Sequence, residues 1–337
     1  MPHSAIFFLG FSSLARLDLF FNNAAKMVCK LRKIRVIASL LSICVAAVFL
    51  TSSWNYLRLQ KSSYCGCNQC LTDGDPCIRE RIISAPKPFL SIKNKITEDI
   101  FNWWKRLQGE KRNFTYYNEA VDTVFKVIPP FPDFAEPSPD RCKICAVVGN
   151  SANLKGSRYG PLIDFHDIVI RINRGRTKGY EADVGTKTTY HIMYPESATY
   201  LENTTRLIMF PFKSSDFLWL MKKLNPGENG AVNSKLIANK NLVTILSPEF
   251  MKYVHEAWLG NKGYYPSTGF LTFALSLFLC DEVTVFGFGA DSDGNWSHYF
   301  ERLGNKNLKT GAHPGGYEYD VMVQLDKKKK IRFFKGW

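Results

Sequence analysis

Two histidines, a glutamate, an Asn-bearing turn and a Ser-Thr pair are the features of this 337-residue chain whose residue types could do chemistry together. An imidazole with an ordinary pKa of about 6.5 accepts a proton near neutral pH, so His313 can act as a general base, although His298 or His313 taken singly is more often structural or exposed. The spacing from His313 to Glu318 is not a helical i,i+4, so Glu318 either orients and helps charge His313 or belongs to a structural ion pair. Ser267 and Thr268 head the apolar stretch TGFLTFALSLFLC. Both are good N-caps, and free N–H groups at a helix start suit an anion; a plain cap is compatible with that use. In CKICAVVGNS, Cys142 to Ser151, an apolar run stops at Gly149-Asn150. Such a turn after a buried strand exposes backbone N–H groups and an amide, suited to a phosphate or a sugar. Asp291-Ser-Asp293 has the Asp-x-Asp form with which many nucleotide-sugar transferases hold Mn²⁺ across a diphosphate.

These residues need a scaffold, and the pattern predicts one. Strand-like ICAVV, DIVIRI, TTYHIMY, RLIMF, NLVTIL and EVTVFGF alternate with helix-like or loop stretches such as SSDFLWLMKKL. Short apolar strands interleaved with helices imply an α/β fold: a mostly parallel, twisted sheet covered on both faces. In that architecture ligands bind at the carboxyl ends of strands, where Gly149-Asn150, Asn173 and Gly287-Phe-Gly289 fall. Upstream, Thr97 to Gln108 spaces Ile100, Trp103, Trp104 and Leu107 helically behind a capping-box-like start. Pro-rich Val127 to Pro139 reads as a loop. Residues 54–96, rich in Lys, Ser, Pro and Cys without a sustained period, read as a stem, and 97–337 as the main domain.

The N-terminal part sets the compartment. Val36 to Leu50 carries no charge, and the uncharged run continues to Leu57, long enough to span a bilayer. Lys26, Lys30, Arg32, Lys33 and Arg35 precede it, which keeps residues 1–35 in the cytosol and makes 36–53 a type II anchor. Its length, its late start and the interface-like Trp54 and Tyr56 favour an anchor over a cleaved signal peptide. Residues 1–26, broken by Arg16 and Asp18, make a poor second span; they are an extension if translation starts at Met27. Beyond the anchor the chain enters the secretory lumen, where disulfides form and nucleic acid is absent, so the net charge of +14 points to an anionic small molecule or glycan. Asn113, Asn203 and Asn295 each head a glycosylation tripeptide.

Of nine cysteines, Cys29 precedes the span and Cys44 lies within it. Cys65, Cys67, Cys70, Cys77, Cys142, Cys145 and Cys280 remain. By spacing alone CGCNQC and CKIC could hold zinc, but an oxidising lumen favours disulfides, and CKIC enters a strand whereas redox Cys-x-x-Cys pairs usually open a helix. The number is odd, so at least one thiol is free or bridges chains. The run Lys327–Lys330 reads as a solvated charge cluster.

The stretch from Lys143 to His191, KICAVVGNSANLKGSRYGPLIDFHDIVIRINRGRTKGYEADVGTKTTYH, resembles the large motif of animal sialyltransferases. YPSTGFLTFALSLFLCDEVTVFGFGADSDGNWSHYF, Tyr265 to Phe300, is similar to that family's small motif followed by its third, and HPGGYE, His313 to Glu318, matches the last, His-x4-Glu. All four occur in order, and with the CxCxxC cluster and WWKRLQ the resemblance runs from Met27 to Trp337. It is nearest the β-galactoside α-2,3-sialyltransferases acting on Galβ1-3GalNAc.

The resemblance implies a single Rossmann-like domain, the sialyltransferase variant of the GT-A fold, behind a Golgi type II anchor. It implies inverting transfer from CMP-N-acetylneuraminate to the 3-hydroxyl of a terminal galactose on O-glycans or glycolipids. By carry-over Asn150 and Asn173 contact the CMP portion, Tyr194 the phosphate, and Ser267, Thr268, Gly269 and Gly289 further donor groups. His298 supports the departing CMP, His313 is the base, and Gln108 and Tyr265 meet the acceptor. Gln108 could instead merely end a helix, Tyr265 lie in the core and Gly289 serve a tight turn. The family works without a metal, which makes Asp291-Ser-Asp293 part of the loop leading to His298. The family pairs Cys65 with Cys70, Cys67 with Cys142 and Cys145 with Cys280; Cys77 is extra, free or linking a homodimer. Leu224 to Asn241 departs from the subgroup, and its acceptor-contacting tyrosine has no clear counterpart. The rival readings are a metal-dependent transferase of another nucleotide sugar and an inactive sialoglycan-binding protein.

Overall fold

The computed structural model describes residues 37–52, 66–67, 70–131, 140–225, 236–302 and 309–336. The chain forms two compact units, Met1–Ser62 and Ser63–Trp337. In the first, residues 37–52 form one helix (α1) whose apolar side chains, Ile37, Leu40, Leu41, Val48 and Phe49 among them, are exposed. Among the described residues no helix is long and apolar enough to cross a membrane. The ends of the expected 36–53 span, Val36 and Ser53, lie outside them.

The second unit is built on seven strands: β1 Ile144–Val148, β2 Ile168–Ile172, β3 Tyr190–Met193, β4 Arg206–Met209, β5 Val243–Ile245, β6 Glu282–Phe286 and β7 Arg332–Phe334. They form one sheet in the order β5-β4-β3-β2-β1-β6-β7, every neighbour parallel. Sequential strands step one way from β1 to β5, then the chain returns to the other side of β1 for β6 and β7. The strand order therefore reverses between β1 and β6, and loops leaving their carboxyl ends diverge there into a crevice. The six expected strands lie where the apolar runs fall; β7, three residues behind a lysine run, carries too little pattern to be read.

Among the described residues nine α-helices accompany the sheet in this unit: α2 Pro76–Ile83, α3 Glu98–Trp104, α4 Phe114–Val124, α5 Gly160–Phe165, α6 Glu181–Val184, α7 Ser214–Leu224, α8 Pro248–Tyr253, α9 Thr268–Leu279 and α10 Gly315–Lys327. Side chains alternate across a strand, so β1 feeds two cores: Cys145 and Val147 join the larger cluster, Ala146 and Val148 the smaller one with Leu154, Val169 and Phe286. Every residue of α9 from Phe270 to Leu277 is buried, as expected of a helix apolar on all sides.

The helix expected over Thr97–Gln108 ends at Trp104 and continues as turns to Gly109. Trp104 is fully buried and donates its indole N–H to the Pro211 carbonyl at 2.8 Å. Much of the stretch read as stem packs into this unit: Leu71, Ile78, Phe89 and Leu90 are buried, and Leu90 donates to the Ile245 carbonyl at 2.9 Å, beyond β5. The lysine run helps hold it, since Lys328 pairs with Asp75 at 3.0 Å and Lys330 donates to the Asp73 carbonyl. Disulfides join Cys67 to Cys142 and Cys145 to Cys280. Cys70 is also disulfide-bonded; its expected partner Cys65 lies outside the described residues. Cys77, on α2, is a free, exposed thiol.

Candidate active site

The crevice at the strand-order reversal is a cleft of about 260 Å³. Its floor comes from strand ends: Gly149, Asn150 and Ser151 after β1, Ile172 and Asn173 at β2, Tyr194 after β3, and Gly287, Phe288 and Gly289 after β6. The walls are the start of α9 with Ser267, Thr268 and Gly269, the loop Trp296–His298, and His313 just ahead of α10. Asn150, Asn173, Tyr194, Ser267, Thr268, Gly269, Gly289, His298 and His313 are thus brought together from seven chain segments.

Glycine is a steric requirement where the two inner loops interlock. A Cβ on Gly149 would stand 2.3 Å from the Gly287 carbonyl oxygen, while Gly149 and Ser151 donate to the carbonyls of Phe286 and Gly287. Cys145–Cys280 ties β1 to the far end of α9, so the strand carrying Asn150 and the helix headed by Ser267 are covalently linked.

Asn150 donates from Nδ2 to the Ile172 carbonyl at 2.9 Å, which leaves its buried Oδ1 with no partner. Ser297 Oγ is likewise buried and unpaired. Buried polar atoms are normally bonded, so both mark places where a ligand's polar groups fit. Asn173 holds φ 55°, a left-handed conformation that asparagine tolerates, and its Oδ1 accepts from Ser197 Oγ at 2.9 Å. Burial raises the Tyr194 hydroxyl above its ordinary pKa, keeping it a neutral donor.

His313 Nδ1 lies 3.1 Å from the Tyr265 carbonyl, and the imidazole meets the Tyr265 ring edge-on at 4.7 Å. A carbonyl only accepts, so Nδ1 carries the proton and Nε2 the lone pair. Burial lowers the pKa of His313, opposed by this bond, and the ring is neutral at pH 7. His298 is half-exposed; its Nδ1 is 2.7 Å from Glu301 Oε2, and its ring stacks on Phe300. An antiparallel bridge between Ser151 and His298 fixes that loop to the end of β1.

Glu318 departs from both expected roles. Its carboxylate accepts from the Ser267 N–H at 2.7 Å and from Ser267 Oγ at 2.6 Å, while Ser267 Oγ caps the Phe270 N–H at 3.0 Å. Among the described residues it bonds neither His313 nor a cation, because α10 turns the side chain toward the head of α9. Burial pushes its pKa up to about 7. Tyr265 stands behind His313 rather than lining the cleft, and Gln108 is exposed in the turn after α3, also outside the lining. Asp291 spends its carboxylate on the loop itself, accepting from the Asp293 and Asn295 N–H groups at 3.0 and 2.8 Å. A Cys67, Cys142 and Glu282 group has metal-like spacing, but its sulfurs are in a disulfide and offer no thiolate. Ser151, Ile172, Trp296, Ser297, Ser197 and Glu301 carried no sequence signal beyond proximity to the motifs.

A doubly wound parallel sheet with a polar, histidine-flanked cleft at its switch point is the usual place for a nucleotide-containing ligand, and comparison with known proteins supplies the class. The chain belongs to glycosyltransferase family 29, the sialyltransferases, whose model matches residues 89–330. It is 43% identical over 282 residues to the CMP-N-acetylneuraminate-beta-galactosamide-alpha-2,3-sialyltransferase 1 of Gallus gallus, covering 81% of this chain and 82% of that one. The crystal structure of a mammalian sialyltransferase superposes with a TM-score of 0.71 at 42% identity, over 81% of this chain and 99% of that one. A second, in complex with Gal-beta-1-3GalNAc-ortho-nitrophenol, gives 0.70 at 41% identity, over 81% and 100%.

Proposed function

We propose that the protein transfers sialic acid from CMP-N-acetylneuraminate to the 3-hydroxyl of the terminal galactose in Galβ1-3GalNAc, on O-glycans and glycolipids. The observation that carries this reading is His313, neutral and with its Nε2 lone pair fixed by the Nδ1–Tyr265 bond, set across one cleft from His298 and the head of α9. Nε2 takes the proton of the galactose 3-hydroxyl as that oxygen attacks the anomeric carbon of sialic acid. The bond from that carbon to the phosphate oxygen breaks through an oxocarbenium-like transition state. CMP leaves with the electron pair, its charge met by His298 and by free N–H groups at the start of α9. Direct attack inverts the centre, so the β-linked donor gives an α-linked product. Asn150 Oδ1 and Ser297 Oγ, both unpaired, are suited to ribose and base donors.

No metal enters the reaction: CMP-sialic acid has a single phosphate, and Asp291 is occupied in shaping the loop before His298. A relative carrying Galβ1-3GalNAc as its bound acceptor supports the choice of acceptor. Residues 36–53 anchor the protein in the Golgi membrane with the transferase in the lumen, which agrees with its disulfides and excludes nucleic-acid partners. Exposed Asn113 and Asn203 carry glycans, whereas Asn295 is buried with its Nδ2 directed at Asp291. The exposed Cys77 thiol is the candidate link between two copies. Transfer to Galβ1-3GalNAc, Galβ1-4GlcNAc and Galβ1-3GlcNAc with linkage analysis tests the proposal: an α2-3 product favouring the first acceptor is expected, and a different linkage or no transfer refutes it.

A further inference from the structure

A second cavity, of about 440 Å³, is lined by the segment that follows Asn173 and by residues before, on and after β3. Its rim is cationic, with Arg174, Arg176 and Lys178 against Glu202 as the only acid, and threonine hydroxyls line its walls, Thr188 and Thr199 among them. The volume falls in the roughly 300–1,000 Å³ range of small-ligand sites.

Two buried side chains show that this is more than a charged surface. His191, 4% exposed, borders the cavity and sets its Nε2 2.5 Å from the Asn173 carbonyl. The carbonyl fixes the proton on Nε2, so Nδ1 is an acceptor with no hydrogen-bond partner among the described residues. Burial and the nearby Arg171 lower the pKa of His191 to about 4, so the ring is neutral. Arg171, the strand neighbour of His191 and 1% exposed, bonds Thr188 of the cavity wall through Nε; its Nη1 is buried with no partner, and no carboxylate lies within ion-pair distance among the described residues. Its charge is met in part by the Val184 and Lys187 carbonyls and, at longer range, by Asp164, but the buried Nη1 donor stays unpaired, and an acceptor in the neighbouring cavity would satisfy it. Inorganic sulfate would satisfy the cations, but it carries no proton at neutral pH and so has no donor for His191 Nδ1. A sugar acid has both a carboxylate and hydroxyl donors.

We infer that this cavity is a binding site for a carboxylated sugar such as an α-linked sialic acid, separate from the cleft and sharing only the Asn173 backbone with it. The inference uses the proposed transfer reaction only to choose probes, and binding can be measured without turnover. Full-length protein saturated with CMP, which occupies the cleft, is titrated with methyl α-sialoside, methyl β-galactoside and inorganic sulfate by saturation-transfer NMR. The sialoside should bind, the galactoside should not, and sulfate should compete at least tenfold more weakly. The Arg174→Gln/Lys178→Gln double variant should weaken sialoside binding by about tenfold or more, with the KM for CMP-sialic acid unchanged on a neutral acceptor. No sialoside binding, unaltered binding in the double variant, or sulfate competing as well as the sialoside overturns the inference. A sialylated branch on the acceptor and a free sugar acid present the same chemistry. A lower KM for branch-sialylated than for plain Galβ1-3GalNAc, lost in the double variant, identifies the former; equal values identify the latter.

Discussion

Replacing Glu318 by glutamine should flatten the pH dependence of stability between pH 4.5 and about 7, the ordinary and the buried pKa of this carboxyl. Burial is the leading cause of the rise, and the two bonds from Ser267 oppose it. The folded chain therefore holds a proton that the unfolded chain releases in this window. The contribution of Glu318 is most favourable below pH 4.5, falls as pH rises through the window, and stays constant above about 7. At about 1.4 kcal/mol per pH unit, the gap corresponds to roughly 3 kcal/mol. Glutamine keeps an acceptor for the Ser267 N–H and can donate to Ser267 Oγ, so it removes the ionisation with little loss of bonding. For a chain of this size, about 2 °C in Tm per kcal/mol makes the effect about 6 °C. Thermal midpoints of both proteins are measured at about pH 4.5 and pH 7.5. The advantage of Glu318→Gln over the parent should grow by about that amount at the higher pH. Other titrations, including Asp216, whose pKa burial raises to about 6, cancel in the difference. A difference independent of pH would refute the buried, Ser267-bound ionisation.

Opening the Cys145–Cys280 disulfide by the Cys145→Ser/Cys280→Ser pair removes a cross-link spanning 135 residues, which should cost roughly 4–5 kcal/mol in urea-unfolding measurements. A loss under about 1 kcal/mol would mean that β1 and α9 are held by packing alone. EDTA should leave transfer unchanged; loss of activity that Mn²⁺ restores would return Asp291 and Asp293 to a metal-binding role. Asn113→Gln and Asn203→Gln should each remove one glycan, seen as a gel shift abolished by glycosidase, and Asn295→Gln should remove none.

The strands around the cleft were legible because a parallel sheet is covered on both faces, so ICAVV is apolar throughout and DIVIRI and EVTVFGF are mostly so, without strict apolar–polar alternation. The positions of Asn150, Asn173 and Gly289 followed from those strand ends. Pairings across long sequence distance were not legible. Glu318 was read against its neighbour His313, yet its partner Ser267 lies 51 positions away, and only the packing of α10 beside α9 selects it. The same reason hid β7 and the work of Lys328 and Lys330, which look like a solvated charge run until the stem segment is seen packed beneath them. Asn295-Trp-Ser has the acceptor pattern of a glycosylation site, but burial withdraws it. The unpaired Nη1 of Arg171 and Nδ1 of His191 have no sequence signature at all, since an orphan is defined by what surrounds it.

The most direct test of the proposed chemistry is the rate of transfer from CMP-N-acetylneuraminate to Galβ1-3GalNAc by His313→Ala at saturating concentrations of both substrates. Removing a general base predicts a kcat lower by roughly 10²- to 10⁴-fold. The thermal midpoint should stay close to that of the parent, and CMP should still bind, because the α9 head and Asn150 are untouched. Turnover by His313→Ala at the parent rate would contradict the assignment of the base, and with it the reading of the cleft.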